Sequence, residues 1–157
     1  MMLRRKHPRL KNYDYSQCGS YHITICVKKR RPILGRIIQP ESPTDRASVQ
    51  LSRQGQITDH YIRNIEHAYR GIIVEHYVIM PNHVHILLTL ESECSTGIPT
   101  VVKSLKRMVT RELGESTWQD SYYDVIIRND AMFRDEWEYI DNNPDKWAED
   151  TLFVTTI

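Results

Sequence analysis

Two histidines one residue apart, His83 and His85, open an apolar segment of the sequence. Successive side chains of a β-strand point to opposite faces, so these imidazoles would share one face while Val84 and Ile86 occupy the other. Two neutral imidazole nitrogens side by side can bind a divalent cation, with positions left for a third ligand and a substrate oxygen. The spacing alone is also compatible with a surface or core-edge histidine pair that binds no metal.

A second pair of chemically capable side chains lies on a predicted helix at about 131–143. The predicted buried stripe of this helix follows helical spacing and consists of Phe133, Trp137, Ile140 and Pro144. Tyr139 and Asn143 lie off that stripe, one turn apart on a common flank. The phenol can attack phosphorus to form a phosphotyrosine, and the amide oxygen can bind a cation held by the two histidines. An isolated helical tyrosine can equally be a rim residue, with its ring on the core and its hydroxyl in water.

Hydrophobic periodicity and turn residues predict the elements that position these side chains. Strands are predicted at 21–27, 32–38, 72–80, from 83 onward and at 122–128. Helices are predicted at about 57–69, 101–113 and 131–143, with an exposed loop at 39–46 and a hairpin turn at Pro81-Asn82. This order predicts an α+β fold, a ferredoxin-like βαββαβ sandwich. Its mostly antiparallel sheet would carry helices on one face and leave the other free for a site, with a C-terminal helix bearing the tyrosine.

Length and composition predict one domain over residues 1–157. The chain is long enough to bury a core of its own. Its three cysteines have no CxxC spacing, so reduced thiols are expected rather than a disulfide framework or a zinc ribbon. No apolar run approaches the roughly 20 residues of a membrane span, and the basic amino terminus lacks the apolar segment of a secretory signal. A cytoplasmic, nucleoid-associated protein is expected.

The net charge is only +1, but the charges are segregated along the sequence. Basic clusters lie at 1–11, 28–36 and 103–111, and an acidic segment lies at 135–150. Such segregation favours a polyanion as partner on one side of the molecule. Each cluster taken singly can also be an ordinary solvated face.

The residues around these candidates resemble REP-associated tyrosine transposases, relatives of the single-tyrosine insertion-sequence transposases. His83-Val84-His85 is similar to the HUH motif (histidine, hydrophobic, histidine) of single-strand endonucleases. Further matching segments are spread in order over nearly the whole chain, at 10–16, 19–26, 78–85, 118–119, 122–129 and 139–147. A single tyrosine in the last segment fits the single-tyrosine class.

The resemblance implies a ferredoxin-like domain that cleaves single-stranded DNA beside a hairpin, with Mg²⁺ or Mn²⁺ as cofactor. It implies a 5′-phosphotyrosine intermediate with a free 3′-hydroxyl, followed by strand transfer. Carried over to this sequence, the metal ligands are His83, His85 and Asn143, and the nucleophile is Tyr139. Some members of the family pair as homodimers and exchange the tyrosine helix, so a homodimer is a possible state of this chain.

Contacts to DNA are expected from basic side chains and from aromatic residues that could stack on unpaired bases. The candidates are Arg4, Arg5, Lys6, Arg9, Lys11, Lys103, Lys106, Arg107, Trp118 and Arg128. Tyr122 and Tyr123 are further candidates for stacking, and packing is an equal alternative for each aromatic ring.

Two other functions are compatible with parts of the pattern. A histidine-triad nucleotide hydrolase needs a further histidine two residues after His85. The sequence has Leu87 there, so such an enzyme would lack its nucleophile. A hairpin-binding regulator that descends from a transposase and no longer cuts DNA is also compatible, although His83, His85 and Tyr139 are all present.

Overall fold

A computed structural model describes residues 18–154 of the chain. The strands are β1 (Gly19–Cys26), β2 (Gly35–Ile38), β3 (Ser48–Leu51), β4 (Ile72–Met80), β5 (His83–Leu90) and β6 (Tyr123–Ile126). The helices are α1 (Arg53–Arg63), α2 (Ile65–Ala68), α3 (Ile98–Leu113) and α4 (Asp130–Asn142), with 3₁₀ turns at Lys28–Arg30 and Pro144–Glu149. No helix in the described part of the chain has both the length and the hydropathy needed to span a membrane.

The main sheet has the strand order β4-β5-β1-β6, and all its neighbours are antiparallel. The first strand and the last strand are adjacent, and the β4–β5 hairpin completes the sheet on the other side of β1. This is the strand order of a ferredoxin-like fold, so the predicted α+β class is confirmed. β2 and β3 form a separate two-stranded hairpin.

One face of the main sheet carries the hydrophobic core. Val84 and Ile86 on β5 point into it, as does Ile23 on β1. They pack against apolar side chains of α1 and α3, such as Ile62 and Val102. The alternation of β5 therefore places Val84, Ile86, Leu88 and Leu90 in the core and sends His83 and His85, with Leu87, to the opposite face, as predicted for the histidines.

The opposite face of the sheet, expected to be free, is covered by α4. This helix contacts β4 and β5. The N-cap residue Asn129 accepts a hydrogen bond from the Met132 backbone N–H at 2.8 Å, which fixes where the helix begins. The site-bearing face is thus enclosed between the sheet and the last long helix.

The predicted buried stripe of α4 is right at Ile140 and Pro144, which are buried, and wrong at Trp137. Trp137 is 38% exposed and stacks on His76 at a ring-centroid distance of 4.3 Å. Glu136, which was not predicted to be buried, is fully buried. Glu136 faces the sheet because His22 on β1 meets its carboxylate at 2.6 Å, and a buried carboxylate needs such a partner.

Two predicted elements also differ in their bounds. The strand predicted at 32–38 begins at Gly35 and pairs with β3, which was not predicted. The helix predicted at 57–69 is divided at Asn64 into α1 and α2. α4 ends at Asn142, close to its predicted end, and Pro144 opens the 3₁₀ turn that follows, because proline fits a first helical position where no N–H is required.

Arg46 holds the carboxyl end of α4 from the loop before β3. Its guanidinium donates to Asp141 Oδ2, the Asp141 carbonyl and Asn142 Oδ1, each at 2.7 Å. The Ala47 N–H donates to Asp145 Oδ1 at 2.8 Å. Cationic donors suit this helix end, whose last carbonyls lack intrahelical partners. The Arg46 hydrogen bond and charge lower the pKa of Asp141.

Replacing Arg46 by glutamine should raise the pKa of Asp141 towards its ordinary value and destabilise the protein at neutral pH. Because the folded-state pKa of Asp141 is lowered, the stabilisation is present above its unfolded pKa of about 3.9 and is lost as the pH falls through the folded-state pKa. Urea midpoints of the two proteins should therefore differ at neutral pH and converge in acid. Arg63→Gln, on α1, is the control that leaves the Asp141 pKa unchanged in an NMR titration. An unchanged Asp141 pKa in Arg46→Gln would contradict the assignment.

Candidate active site

His83 and His85 lie side by side near the start of β5, on the face covered by α4. Their side chains are buried, and their ring centroids are 4.8 Å apart with planes at 83°. Across the strand pair, Cys26 is opposite His83 and Thr24 is opposite His85. The predicted shared orientation of the two imidazoles is therefore present in the structure.

Asn82 orients the His83 ring. Its Nδ2 donates to the carbonyls of Leu152 at 2.7 Å and Arg30 at 3.2 Å, so its Oδ1 is the atom that faces His83 Nδ1 at 2.7 Å. An amide oxygen can only accept, so His83 Nδ1 carries the proton. The lone pair of His83 is then on Nε2, the nitrogen that faces the site.

His85 has two polar neighbours at its Nδ1. His22 Nε2 and Thr24 Oγ1 each lie 3.0 Å from it. Burial, with smaller contributions from the adjacent His83 and His22, holds the pKa of His85 well below its ordinary value. The ring is therefore neutral at physiological pH, which is the form that can ligate a metal.

Asp150 brings a carboxylate to the two histidines from the segment after α4. Its Oδ1 accepts from the Leu152 N–H at 2.8 Å, and its Oδ2 lies 3.5 Å from His83 Nε2. One ligand atom from each of Asp150, His83 and His85 falls within 4.8 Å of the others.

Tyr139 and Asn143 meet this group from α4 and the residue that follows it. The Tyr139 ring centroid is 5.2 Å from that of His85 and 5.9 Å from that of His22. Tyr139, Asn143 and Asp150 line one cavity of about 130 Å³, together with Lys146. The tyrosine thus reaches the histidines of its own chain.

The donor atoms of this group fit a divalent cation. Within residues 18–154, three of its buried atoms make no hydrogen bond: His83 Nε2, His85 Nε2 and Asn143 Oδ1. A buried polar atom left unpaired costs about 1–3 kcal/mol, so three in one place call for a ligand. Two imidazole nitrogens with an amide and a carboxylate oxygen can hold Mg²⁺ or Mn²⁺. The neighbouring Cys26 does not compete as a thiolate, because burial raises its pKa to about 11.

The candidate DNA contacts are distributed over several places. Arg4, Arg5, Lys6, Arg9 and Lys11 lie outside the described residues. Lys103, Arg107 and Arg128 are exposed, whereas the Lys106 ammonium donates to the carbonyls of Gln119 and Ser121 at 2.6 and 3.0 Å. Lys106 therefore also supports the segment that follows α3.

Trp118 and Tyr122 are 5% and 4% exposed, so packing is favoured over base stacking for both. They form the floor of a groove of about 590 Å³, whose wall includes Lys103 and Arg107. The exposed cations of this groove are accessible to phosphates, while its aromatic rings belong to the core. Tyr123 is half-buried on β6.

Sequence periodicity did not single out Glu136, His22 or Asp150. Glu136 could have been found from a second stripe on α4, because Glu136, Tyr139, Ile140 and Asn143 also follow i, i+3, i+4 and i+7. His22 could have been found from strand parity, because it shares a face of β1 with Thr24. Asp150 carries no comparable signal, since it follows an irregular turn.

Comparisons with known proteins agree with this architecture. An uncharacterised protein of Haemophilus influenzae is 31% identical over 175 residues, spanning 96% of this chain and 93% of that protein. A REP-associated tyrosine transposase of Escherichia coli K12 is 28% identical, over 84% of this chain and 70% of its own length. The fold is similar to that of a REP-associated tyrosine transposase solved bound to a REP hairpin, with a TM-score of 0.67 at 24% identity over 88% of this chain and 73% of that one.

The family match covers the strand and the helix that carry the paired histidines and the tyrosine, but not the segment with Asp150. Residues 15–143 match the model of the family described as IS200-like transposases, from before β1 to the end of α4. That range includes the paired histidines, the tyrosine and Asn143. Such transposases are in general DNA-cleaving enzymes, and the resemblance to REP-associated tyrosine transposases is confirmed. The chain belongs to the IS200-like transposase family.

Proposed function

We propose that the protein is a metal-dependent endonuclease and strand transferase that acts on single-stranded DNA beside a hairpin. The observation that carries the proposal is the 5.2 Å between the ring centroids of Tyr139 and His85, which brings a nucleophile to a proposed metal ligand. Membership of the transposase family supports the reaction class. The relative solved with a REP hairpin supports hairpin-bearing repeat DNA as the substrate class.

His83, His85 and Asn143 are the proposed metal ligands, and Asp150 is a further oxygen ligand. Mg²⁺ or Mn²⁺ is the proposed cation. When bound, it would supply Lewis-acid stabilisation of the charge that develops on the scissile phosphate. Asn82 holds the His83 ring with its Nε2 turned inward, and the Leu152 N–H holds Asp150.

Tyr139 is the proposed nucleophile. Its phenolic oxygen forms the bond to phosphorus while the bond from phosphorus to the 3′-oxygen breaks. The leaving oxygen takes up a proton and becomes a free 3′-hydroxyl, and the phosphate stays on the tyrosine until a strand end reverses the step. A phenol with a pKa of about 10 needs help at neutral pH. Lys146, which lines the same cavity, supplies positive charge that favours the phenolate and the approaching phosphate.

The exposed cations Lys103, Arg107 and Arg128 are proposed to contact DNA phosphates, where they would set affinity more than sequence preference. The basic residues of the amino terminus remain candidates for the same role. Lys106 and Trp118 would act through the shape of the groove that they support.

The runner-up function is a hairpin-binding regulator without cleavage. A protein that only binds DNA gains nothing from buried imidazole nitrogens that lack hydrogen bonds. Each such atom costs about 1–3 kcal/mol of stability. The Tyr139 ring, whose centroid is 5.2 Å from that of His85, brings a nucleophile beside these atoms and favours the nickase.

Tyr139→Phe should abolish covalent attachment to DNA and leave hairpin binding intact. The substitution removes only the attacking oxygen and keeps the ring against His85. Cleavage should fall by several orders of magnitude, as for other removed nucleophiles. The assay incubates protein with Mn²⁺ and a single-stranded, hairpin-bearing oligonucleotide, and detects the adduct on a denaturing gel.

Tyr123→Phe is the matched control, because Tyr123 lies opposite Thr24 on the site-bearing face of the sheet. That variant should form the adduct at the wild-type rate. An adduct that persists in Tyr139→Phe would place the nucleophile elsewhere. Hairpin binding without any adduct in the wild-type protein would support the regulator.

His83→Ala and His85→Ala should each weaken Mn²⁺ binding by more than about 100-fold, beyond the usual effect of residues that only support ligands. Asn143→Ala and Asp150→Asn should weaken it less, because each removes a single oxygen ligand or its charge. Calorimetry on the protein without DNA measures these affinities directly.

Glu149→Gln is the control for Asp150→Asn, because Glu149 is an exposed carboxylate that lines the same cavity. It should bind Mn²⁺ like the wild-type protein. Wild-type affinity in either histidine variant would exclude the proposed metal site.

A further inference from the structure

A buried chain of hydrogen bonds connects α4 to His85 through β1. Glu136 is fully buried, and its Oε2 lies 2.6 Å from His22 Nδ1. The other nitrogen of that ring, His22 Nε2, lies 3.0 Å from His85 Nδ1. Three elements, α4, β1 and β5, therefore contribute one side chain each to a continuous path that ends at a proposed metal ligand.

The protons along this path have one self-consistent arrangement when both rings are neutral. A carboxylate can only accept, so His22 Nδ1–H donates to Glu136. His22 Nε2 then holds the lone pair and accepts from His85 Nδ1–H. This leaves the lone pair of His85 on Nε2, the buried nitrogen that makes no hydrogen bond within the described residues.

The other neighbour of His85 does not fix this direction. The Thr24 hydroxyl, also 3.0 Å from His85 Nδ1, can donate as well as accept. If it donated, the proton of His85 would move to Nε2 and block a cation. Only the carboxylate at the far end of the path removes this ambiguity.

We propose that Glu136 and His22 are positioning residues that hold His85 in the tautomer able to bind the catalytic cation. The inference rests on the proposed function, because it assumes that His85 is a ligand. Partners of this kind behind a ligating histidine orient the ring and increase its basicity. For His83 the same task is done by the neutral amide of Asn82, but for His85 it is done from the helix that carries the nucleophile.

The placement of Glu136 on α4 has a consequence for assembly of the site. Glu136 precedes Tyr139 by three residues, so both project towards the sheet from one face of the helix. Packing of α4 on the sheet thus places the nucleophile at the site and also sets the tautomer of His85.

The experiment is nitrogen NMR of the histidine side chains in the metal-free protein at about pH 8, above the ordinary histidine pKa. The wild-type protein should show His85 protonated on Nδ1. In Glu136→Gln, the amide can present either its oxygen or its nitrogen to His22, so His85 should show a mixture of tautomers. Mn²⁺ affinity, measured by calorimetry, should fall by about 10–100-fold in this variant.

Two further variants keep the test decisive. Thr24→Val removes the hydroxyl but keeps the side-chain shape, and it should leave both the His85 tautomer and the Mn²⁺ affinity unchanged. Glu138→Gln, an exposed site on α4, controls for loss of a helix carboxylate. The proposal is overturned if wild-type His85 carries its proton on Nε2, or if Thr24→Val rather than Glu136→Gln changes the tautomer.

These measurements use neither DNA nor turnover, so they separate this inference from the proposed function. One outcome is that His85 carries its proton on Nδ1 and the Mn²⁺ affinity falls in Glu136→Gln while no DNA adduct forms. That result would support the positioning role of Glu136 and His22 and contradict the proposed nickase. A protein that forms the DNA adduct, but whose Mn²⁺ affinity is unchanged in Glu136→Gln, would support the proposed function and contradict the positioning role of Glu136 and His22.

Discussion

The helix that covers the second face of the sheet buries the carboxylate of Glu136, and the need to pair this carboxylate sets the position of α4. A buried carboxylate costs several kcal/mol to remove from water, and losing its partner costs about 3–5 kcal/mol. The fully buried Glu136 can therefore be accommodated only where His22 meets it. The contacts of Arg46 at the other end of the helix are solvated and individually weaker. The buried contact fixes the helix on the sheet, and Tyr139 is carried to the histidines as a result.

One strand, β5, serves the core and the candidate site at once. Val84 and Ile86 fill the core, and His83 and His85 occupy the other face. A slip of one residue in strand pairing would exchange these two sets, so the register is as important to the site as the ligands themselves. Asn82 strengthens the register at the turn, because it is buried and bonded to three separate groups. Packing of the core therefore also fixes the geometry of the imidazole pair.

The long, strongly periodic elements could be predicted from the sequence, including the β4–β5 hairpin and α3, because both bury continuous apolar patterns. The rotation of α4 could not. A stripe containing Trp137 assumes a wholly apolar surface beneath the helix, whereas that surface includes His22, which pairs with Glu136. The partner that makes Glu136 burial possible, His22, is 114 residues away in sequence. No local pattern contains such information, and only the strand order brings the two together.

The segment after α4 also could not be predicted from local sequence patterns, and it supplies a further oxygen atom to the candidate site. Asp150 reaches His83 because the 3₁₀ turn after Pro144 redirects the chain, and because Asn82 binds the Leu152 carbonyl. The residue that orients one ligand therefore also anchors the segment that supplies another. Since α4 orients His85 in a corresponding way, each histidine is held by a group that also fixes a second component of the site. A displacement of α4 or of this segment would alter both a ligand and its neighbour, so the tyrosine and the proposed metal ligands are expected to assemble as one cooperative unit.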